Sequence, residues 1–167
     1  MTLAIRRLDP VADRAAVAAM LAEAADYYDL WLGHAPGAAE VAGVFSAGPP
    51  GCDAARSYRL GLFEGGLVEG GLVGVAELSF GFPDAMDAYL GLMILSPMAR
   101  GRGYGAQFLG HIEGLARARD ATGLYLGVLD RNPRGRAFWE RMGFRATGVT
   151  RVAADLGPVV HRLGKAL

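Results

Sequence analysis

The segment from Leu92 to Leu129 constrains the fold most strongly. An apolar run ending at Leu95 passes through Ser96-Pro97 into Arg100-Gly101-Arg102-Gly103-Tyr104-Gly105-Ala106. Beyond it, Phe108, Leu109, Ile112, Leu115 and Ala116 fall on one helical face, and Thr122-Gly123 leads into a second apolar run, Leu124 to Leu129. Strand, glycine-rich turn, amphipathic helix, strand is a crossover unit, in which the helix returns the chain parallel to the strand it left. The chain must therefore build a sheet with at least one parallel pair and a helix lying on it.

Short elements surround this unit. Leu3 to Leu8 alternates as a strand does, and Asp9-Pro10 offers an N-cap and a first-turn proline, which predicts a helix from that point. Val17, Met20, Leu21, Ala24, Tyr28 and Trp31 keep the spacing of one buried stripe until Gly33 and Pro36, so one long helix is expected. A shorter helix spans 38–46, with Val41, Val44 and Phe45 inward. Ser57 to Phe63, Leu72 to Phe80 and Asp87 to Leu95 predict a three-strand meander, turned by glycines 65, 66, 70 and 71 and then by Phe82-Pro83-Asp84. Asn132-Pro133 caps a helix to Met142 closed by Gly143, and strands over 144–151 and 159–163 complete the chain. This order predicts an α/β (α+β) fold, a mixed sheet of about seven strands flanked by about four helices, in a single domain over 1–167.

Composition then excludes several classes. Of 167 residues, 52% are hydrophobic and 20% charged, apolar enough for one core and too apolar for a disordered chain. The formal net charge of zero argues against a protein that coats nucleic acid or an anionic membrane. The lone Cys52 has neither a disulfide partner nor a metal-ligand neighbour, and no metal is expected. The opening residues lack a signal-peptide core and the longest strongly apolar stretch, Tyr89 to Leu95, falls far short of a membrane span, so a cytoplasmic location is expected. The zero also hides a gradient. Residues 1–99 carry five basic residues against twelve acids, and 100–167 carry twelve against five. Either this is drift in an arginine-rich composition, or the two halves meet partners of opposite charge.

The glycine-rich turn suits an anion, because backbone N–H groups at a helix start attract negative charge and glycines let it approach without a Cβ in the way. Gly101, Gly103 and Ala106 satisfy the dinucleotide fingerprint G-x-G-x-x-G/A, with Asp130 near the place of a ribose-binding acid. Against that, Ser96 to Arg100 separate the strand from the glycines, and only 37 residues follow Asp130.

The same residues carry a family resemblance. Arg100-x-x-Gly103-x-Gly105, after a strand ending Leu95-x-Pro97, resembles the Q/R-x-x-G-x-G/A coenzyme A signature of the GNAT superfamily of N-acetyltransferases. Asn132-x-x-Gly135-x-x-Phe138-Trp139-x-x-x-Gly143-Phe144 resembles that family's N-x-x-A-x-x-F-Y-x-x-x-G-F block, and the element order matches along nearly the whole chain. The resemblance implies transfer of acetyl from acetyl-coenzyme A to a primary amine of a small molecule, or of a peptide or protein, by direct attack in a ternary complex. It also implies that Arg100 and the N–H groups of Gly101, Arg102, Gly103, Tyr104, Gly105 and Ala106 hold the pyrophosphate. Met93, Ile94 and Leu95 would pair with the pantetheine arm, their strand splaying from its parallel neighbour, and Asn132 would bond the arm. Two residues depart from the pattern. Gly135 in place of alanine should weaken its helix by roughly 1 kcal/mol. Trp139 has no acidic proton, so it is expected to pack on the arm, leaving a tyrosine (Tyr89, Tyr104 or Tyr125) or water to protonate the thiolate. A noncatalytic acyl-coenzyme A-binding module is the rival reading that Trp139 leaves open.

The acceptor needs a base, since freeing the lone pair of an alkylammonium at pH 7 costs roughly 4 to 5 kcal/mol. Glu77 and Asp87 are the candidates, with Glu77 preferred. Tyr89 is the best-placed polar group, because period two puts Asp87, Tyr89, Gly91, Met93 and Leu95 on one face. By the resemblance, the acceptor lies against the first helices and the loop between the second and third meander strands, which carry Tyr27, Asp29, His34, Phe82 and Asp84. Aromatics among acids, in the acidic half of the chain, predict a cationic amine acceptor. Neither nucleic acid nor membrane is expected as a partner, and the apolar late strands leave room for a homodimer.

Overall fold

The computed structural model describes residues 2–66, 70–152 and 157–167; the centre of the first hairpin connection, 67–69, lies outside them. The elements are β1 (Leu3–Arg7), α1 (Arg14–Glu23), α2 (Ala25–Leu32), α3 (Ala38–Ser46), β2 (Tyr58–Glu64), β3 (Gly71–Phe80), β4 (Asp87–Leu95), α4 (Tyr104–Arg117), β5 (Gly123–Leu129), α5 (Pro133–Arg141), β6 (Arg145–Val152) and β7 (Val159–Ala166). They form one seven-stranded sheet in the order β1-β2-β3-β4-β5-β7-β6. Among the described residues only β4 and β5 run parallel, as a crossover through α4 requires. This mostly antiparallel arrangement has none of the repeated parallel units that a dinucleotide fold needs. Among the described residues, no helix is long and apolar enough to cross a membrane.

Among the described residues the α-helices number five where about four are expected, because the first long one is two. Asp9 does cap a turn, its carboxylate accepting from the N–H of Val11 and Ala12 at 2.8 and 2.7 Å, but regular helix starts only at Arg14. At Ala24 the N–H reaches back to both Met20 and Leu21, a tightened last turn that ends α1, and α2 starts afresh. The stripe survives as far as Tyr28, which is fully buried, whereas Trp31 is exposed.

Two cores sandwich the sheet. Helices α1 to α3 place Val17, Met20, Leu21, Tyr28, Val41 and Val44 against Phe63, Val75 and Ile94. On the other face α4 and α5 set Phe108, Ile112 and Trp139 against Leu78, Leu90, Leu126 and Leu163. Each fully buried leucine or phenylalanine contributes roughly 1.5 to 3 kcal/mol, so the two layers supply most of the stability.

Two irregularities in β4 prepare a site. Glu77 pairs with Leu92 while Leu78 pairs with Leu90, so Gly91 is an extra residue, a β-bulge. The bulge inverts the alternation. Ala88, Leu90, Met93 and Leu95 join the α4 core, and Leu92 and Ile94 the α1 core. The expected single face from Asp87 to Leu95 is therefore wrong: Tyr89 and Met93 lie on opposite sides. Pairing of β4 with β5 also stops at Leu90 and Leu126, beyond which the strands part.

Candidate active site

The opening between β4 and β5 has one side shaped by backbone. The turn after β4 passes through a short 3-10 helix, Pro97–Ala99, and through Gly101 and Gly103 at φ +74° and +79°, where an L side chain would be strained. Nothing stands within 4 Å of where a Cβ on either would lie, so the surface above both glycines is clear. Gln107 N–H bonds back to Gly103, so the N–H groups of Tyr104, Gly105 and Ala106 belong to the first turn, which has no intrahelical acceptors. Gly105 serves packing instead: a Cβ there would press within 3.2 Å of the Phe138 ring.

Side chains around the turn are less available than the sequence suggests. Arg100 forms a bidentate pair with Asp26 of α2 and donates to Leu95 O at 3.1 Å. Arg102 meets Glu64 at 2.6 Å and lies over the Tyr104 ring. Tyr104 itself is buried, its hydroxyl donating to Glu64 at 2.5 Å. This bond raises the Tyr104 pKa, and the same partners lower that of Glu64. Asn132 caps α5 by accepting from Gly135 N–H at 2.9 Å, and its amide lies where an alanine methyl at 135 would collide. The glycine there thus makes room for the cap. Trp139 is buried, edge-on to Phe138 and Phe144 at 4.8 and 5.5 Å.

The other side of the opening is built from side chains. Glu77 is buried, and its Oε1 meets Arg59 at 2.7 Å and accepts from Ser79, which contacts Ser57 at 2.9 Å. Arg59 supplies the charge that a buried carboxylate requires, and its own pKa is lowered by burial. The other oxygen, Oε2, lies over the bulge: a Cβ on Gly91 would collide with it and stand 4.0 Å from the Tyr89 ring. Glu77 and Tyr89 therefore flank Gly91 on one face. Tyr89 is half-buried, edge-on to Phe82 at 5.1 Å, and its hydroxyl lies 3.2 Å from the position of a Cβ on Gly127. Desolvation raises the Tyr89 pKa, and Arg151 and Arg162 oppose the rise. Tyr27 lies close by, pushed up to about 12 by burial with Tyr89 adding to it.

Other predicted residues lie further from this cluster. Asp29, His34 and Asp84 are exposed, with His34 Nδ1 2.8 Å from Ala35 O. Asp87 is buried, its pKa raised by desolvation, and its Oδ1 lies 2.9 Å from where a Cβ on Gly123 would be. The expected charge division fails in space. Asp26 and Glu64 from the acidic half neutralise the arginines of the turn, while Arg151 and Arg162 from the basic half lie near Tyr89. Sequence reasoning missed Arg59, Ser79 and those two late arginines. For Arg162 the signal was present, an arginine alternating with Val160 and Gly164 in a strand otherwise fit to be covered.

A family model described as the acetyltransferase (GNAT) family matches residues 23–144. Among solved structures, an acetyltransferase from Thermus thermophilus is 26% identical, with a TM-score of 0.74 over 100% of this chain and 98% of that one. A GCN5-related N-acetyltransferase from Kribbella flavida is 21% identical, with a TM-score of 0.72 over 99% and 98%. An IAA acetyltransferase from Bacillus cereus is 17% identical, with a TM-score of 0.65 over 99% and 100%. The last two matches establish a shared fold and no more.

Proposed function

The chain belongs to the GNAT acetyltransferase family, and from that premise we propose that it moves acetyl from acetyl-coenzyme A to the primary amine of a small molecule by direct attack in a ternary complex. The observation that carries the reading is the convergence of Glu77 and Tyr89 on Gly91, where β4 bulges and then leaves β5. The coenzyme fits the opposite side of that opening, since the surface over Gly101 and Gly103 is clear and their turn runs into a helix start. N–H groups from Gly101 to Ala106 would hold the pyrophosphate, and the backbone of Met93, Ile94 and Leu95, which β5 leaves unpaired, would hold the pantetheine arm beside Asn132. When bound, acetyl-coenzyme A supplies the thioester carbonyl that an amine attacks.

The chain's own groups manage the protons. Glu77 Oε2 is the acceptor for the ammonium proton, while Oε1 stays anchored to Arg59 and Ser79, fixing the carboxylate in orientation. The Tyr89 hydroxyl stays protonated at neutral pH, burial having raised its pKa, and so serves as a donor. With Trp139 buried among Phe138 and Phe144, Tyr89 takes the acid role that an acidic side chain at 139 would otherwise fill. The test is thiol release from acetyl-coenzyme A that depends on an added amine, measured for wild type, Glu77→Gln and Tyr89→Phe. A fall of about a hundredfold in kcat for Glu77→Gln is expected. Full activity in both variants overturns the acid and base assignments, and coenzyme binding without turnover on any amine identifies a binding module instead.

A further inference from the structure

Two arginines of the last strands flank the acceptor side, and the chemistry above uses neither. Arg162 of β7 stands directly across from Gly127 of β5, and Arg151 of β6 stands across from Val160, two residues along β7. Paired residues of an antiparallel ladder and their second neighbours share a face. Contacts identify that face as the one carrying Tyr89. Arg162 lies over the Phe82 ring at 5.1 Å, Phe82 meets Tyr89 at 5.1 Å, and Val160 and the Tyr89 hydroxyl converge over Gly127. Gly127 is the first residue of β5 beyond its last partner in β4, so the arginines stand at the lip of the opening.

Their lack of carboxylate partners is the second observation. Six arginines, Arg6, Arg59, Arg100, Arg102, Arg117 and Arg136, each meet a carboxylate, and of the arginines that do not, Arg151 and Arg162 are the pair that stands beside Phe82 and Tyr89. Among the described residues, Arg151 and Arg162 form no ion pair, although Asp84 and Asp87 flank the same Phe82–Tyr89 corner. Two guanidinium groups with no carboxylate bound to them disfavour a simple ammonium and match a carboxylate or phosphate, whose oxygens accept their parallel N–H bonds. We propose that Arg162 and Arg151 read an anionic group on the acceptor, so that the substrate is an amine also bearing a carboxylate or a phosphate. The proposal rests on the acetyl-transfer reading of the same site and replaces the cationic acceptor expected from the sequence with an amine whose charge is offset by an anionic group.

The test is a matched panel. Amino acids are each assayed beside the amine left by decarboxylation, and phosphoethanolamine beside ethanolamine, on wild type, Arg162→Gln, Arg162→Lys and Arg151→Gln. The anionic member of at least one pair should exceed its partner in kcat/KM by about tenfold or more. Arg162→Gln should collapse that ratio, and Arg162→Lys should restore part of it. The carboxylate and phosphate arms decide which anion is read. Turnover with no preference for the anionic member, or with a preference untouched by Arg162→Gln, overturns the inference. Should no member release thiol, the acetyl-transfer reading fails instead, and equilibrium binding of the same pairs to wild type and Arg162→Gln then decides the inference by the same ratio.

Discussion

The two sides of the β4–β5 opening are made of different material. On the side proposed for the coenzyme the usable groups are backbone N–H donors in a turn shaped by Gly101 and Gly103, and the side chains nearby are tied up with Asp26 and Glu64. On the side proposed for the acceptor they are side chains gathered from four strands: Glu77 of β3, Tyr89 of β4, Arg162 of β7 and Arg151 of β6. A site of backbone donors depends on conformation, which a few glycines specify locally. A site of side chains depends on register and packing, and is exposed to every substitution around it.

That contrast can be broken or sharpened by four experiments. Arg59→Gln strands a buried carboxylate and should cost about 3 to 5 kcal/mol in chemical denaturation; if acetyl-coenzyme A still raises the melting temperature of the folded fraction, the two sides are separable. Tyr27 supplies the next largest effect. Its folded pKa of about 12 exceeds the ordinary tyrosine value of 10.0, so the unfolded state loses its proton first. Its contribution is therefore complete below pH 10 and falls away from pH 10 to 12, by roughly 2 to 3 kcal/mol, a slope that Tyr27→Phe should flatten. Gly103→Val forces a branched side chain into a left-handed position, at about 1 to 2 kcal/mol, and should weaken acetyl-coenzyme A binding without moving the preference among acceptors. Asp26→Asn opens an exposed ion pair worth at most about 1 kcal/mol, and stability should barely change. A Gly103→Val variant that altered acceptor preference would show the sides to be coupled after all.

What could be read in the sequence follows the same division. The glycine turn, the crossover and the caps at Asn132 and Gly143 were legible because each is a local pattern with a local cause. The break at Ala24 was not, since alanine is a good helix former and gives no local stop signal. Gly91 looked like one residue in a regular strand, and nothing local showed that β3 would skip it. Glu77 could be nominated, but its partners Arg59 and Ser79 depend on the register of β2 against β3. The charge gradient misled because position along a chain is not position in a fold.

The bulge at Gly91 also bears on how this strand can change over time. Because the bulge absorbs one extra residue, a single deletion between Tyr89 and Met93 would restore a regular ladder, with Leu92 still opposite Glu77 and Met93 and Leu95 still in the α4 core. The strand can thus shorten by one residue at this point and keep both cores, and what it would lose is the Gly91 kink that Glu77 and Tyr89 flank.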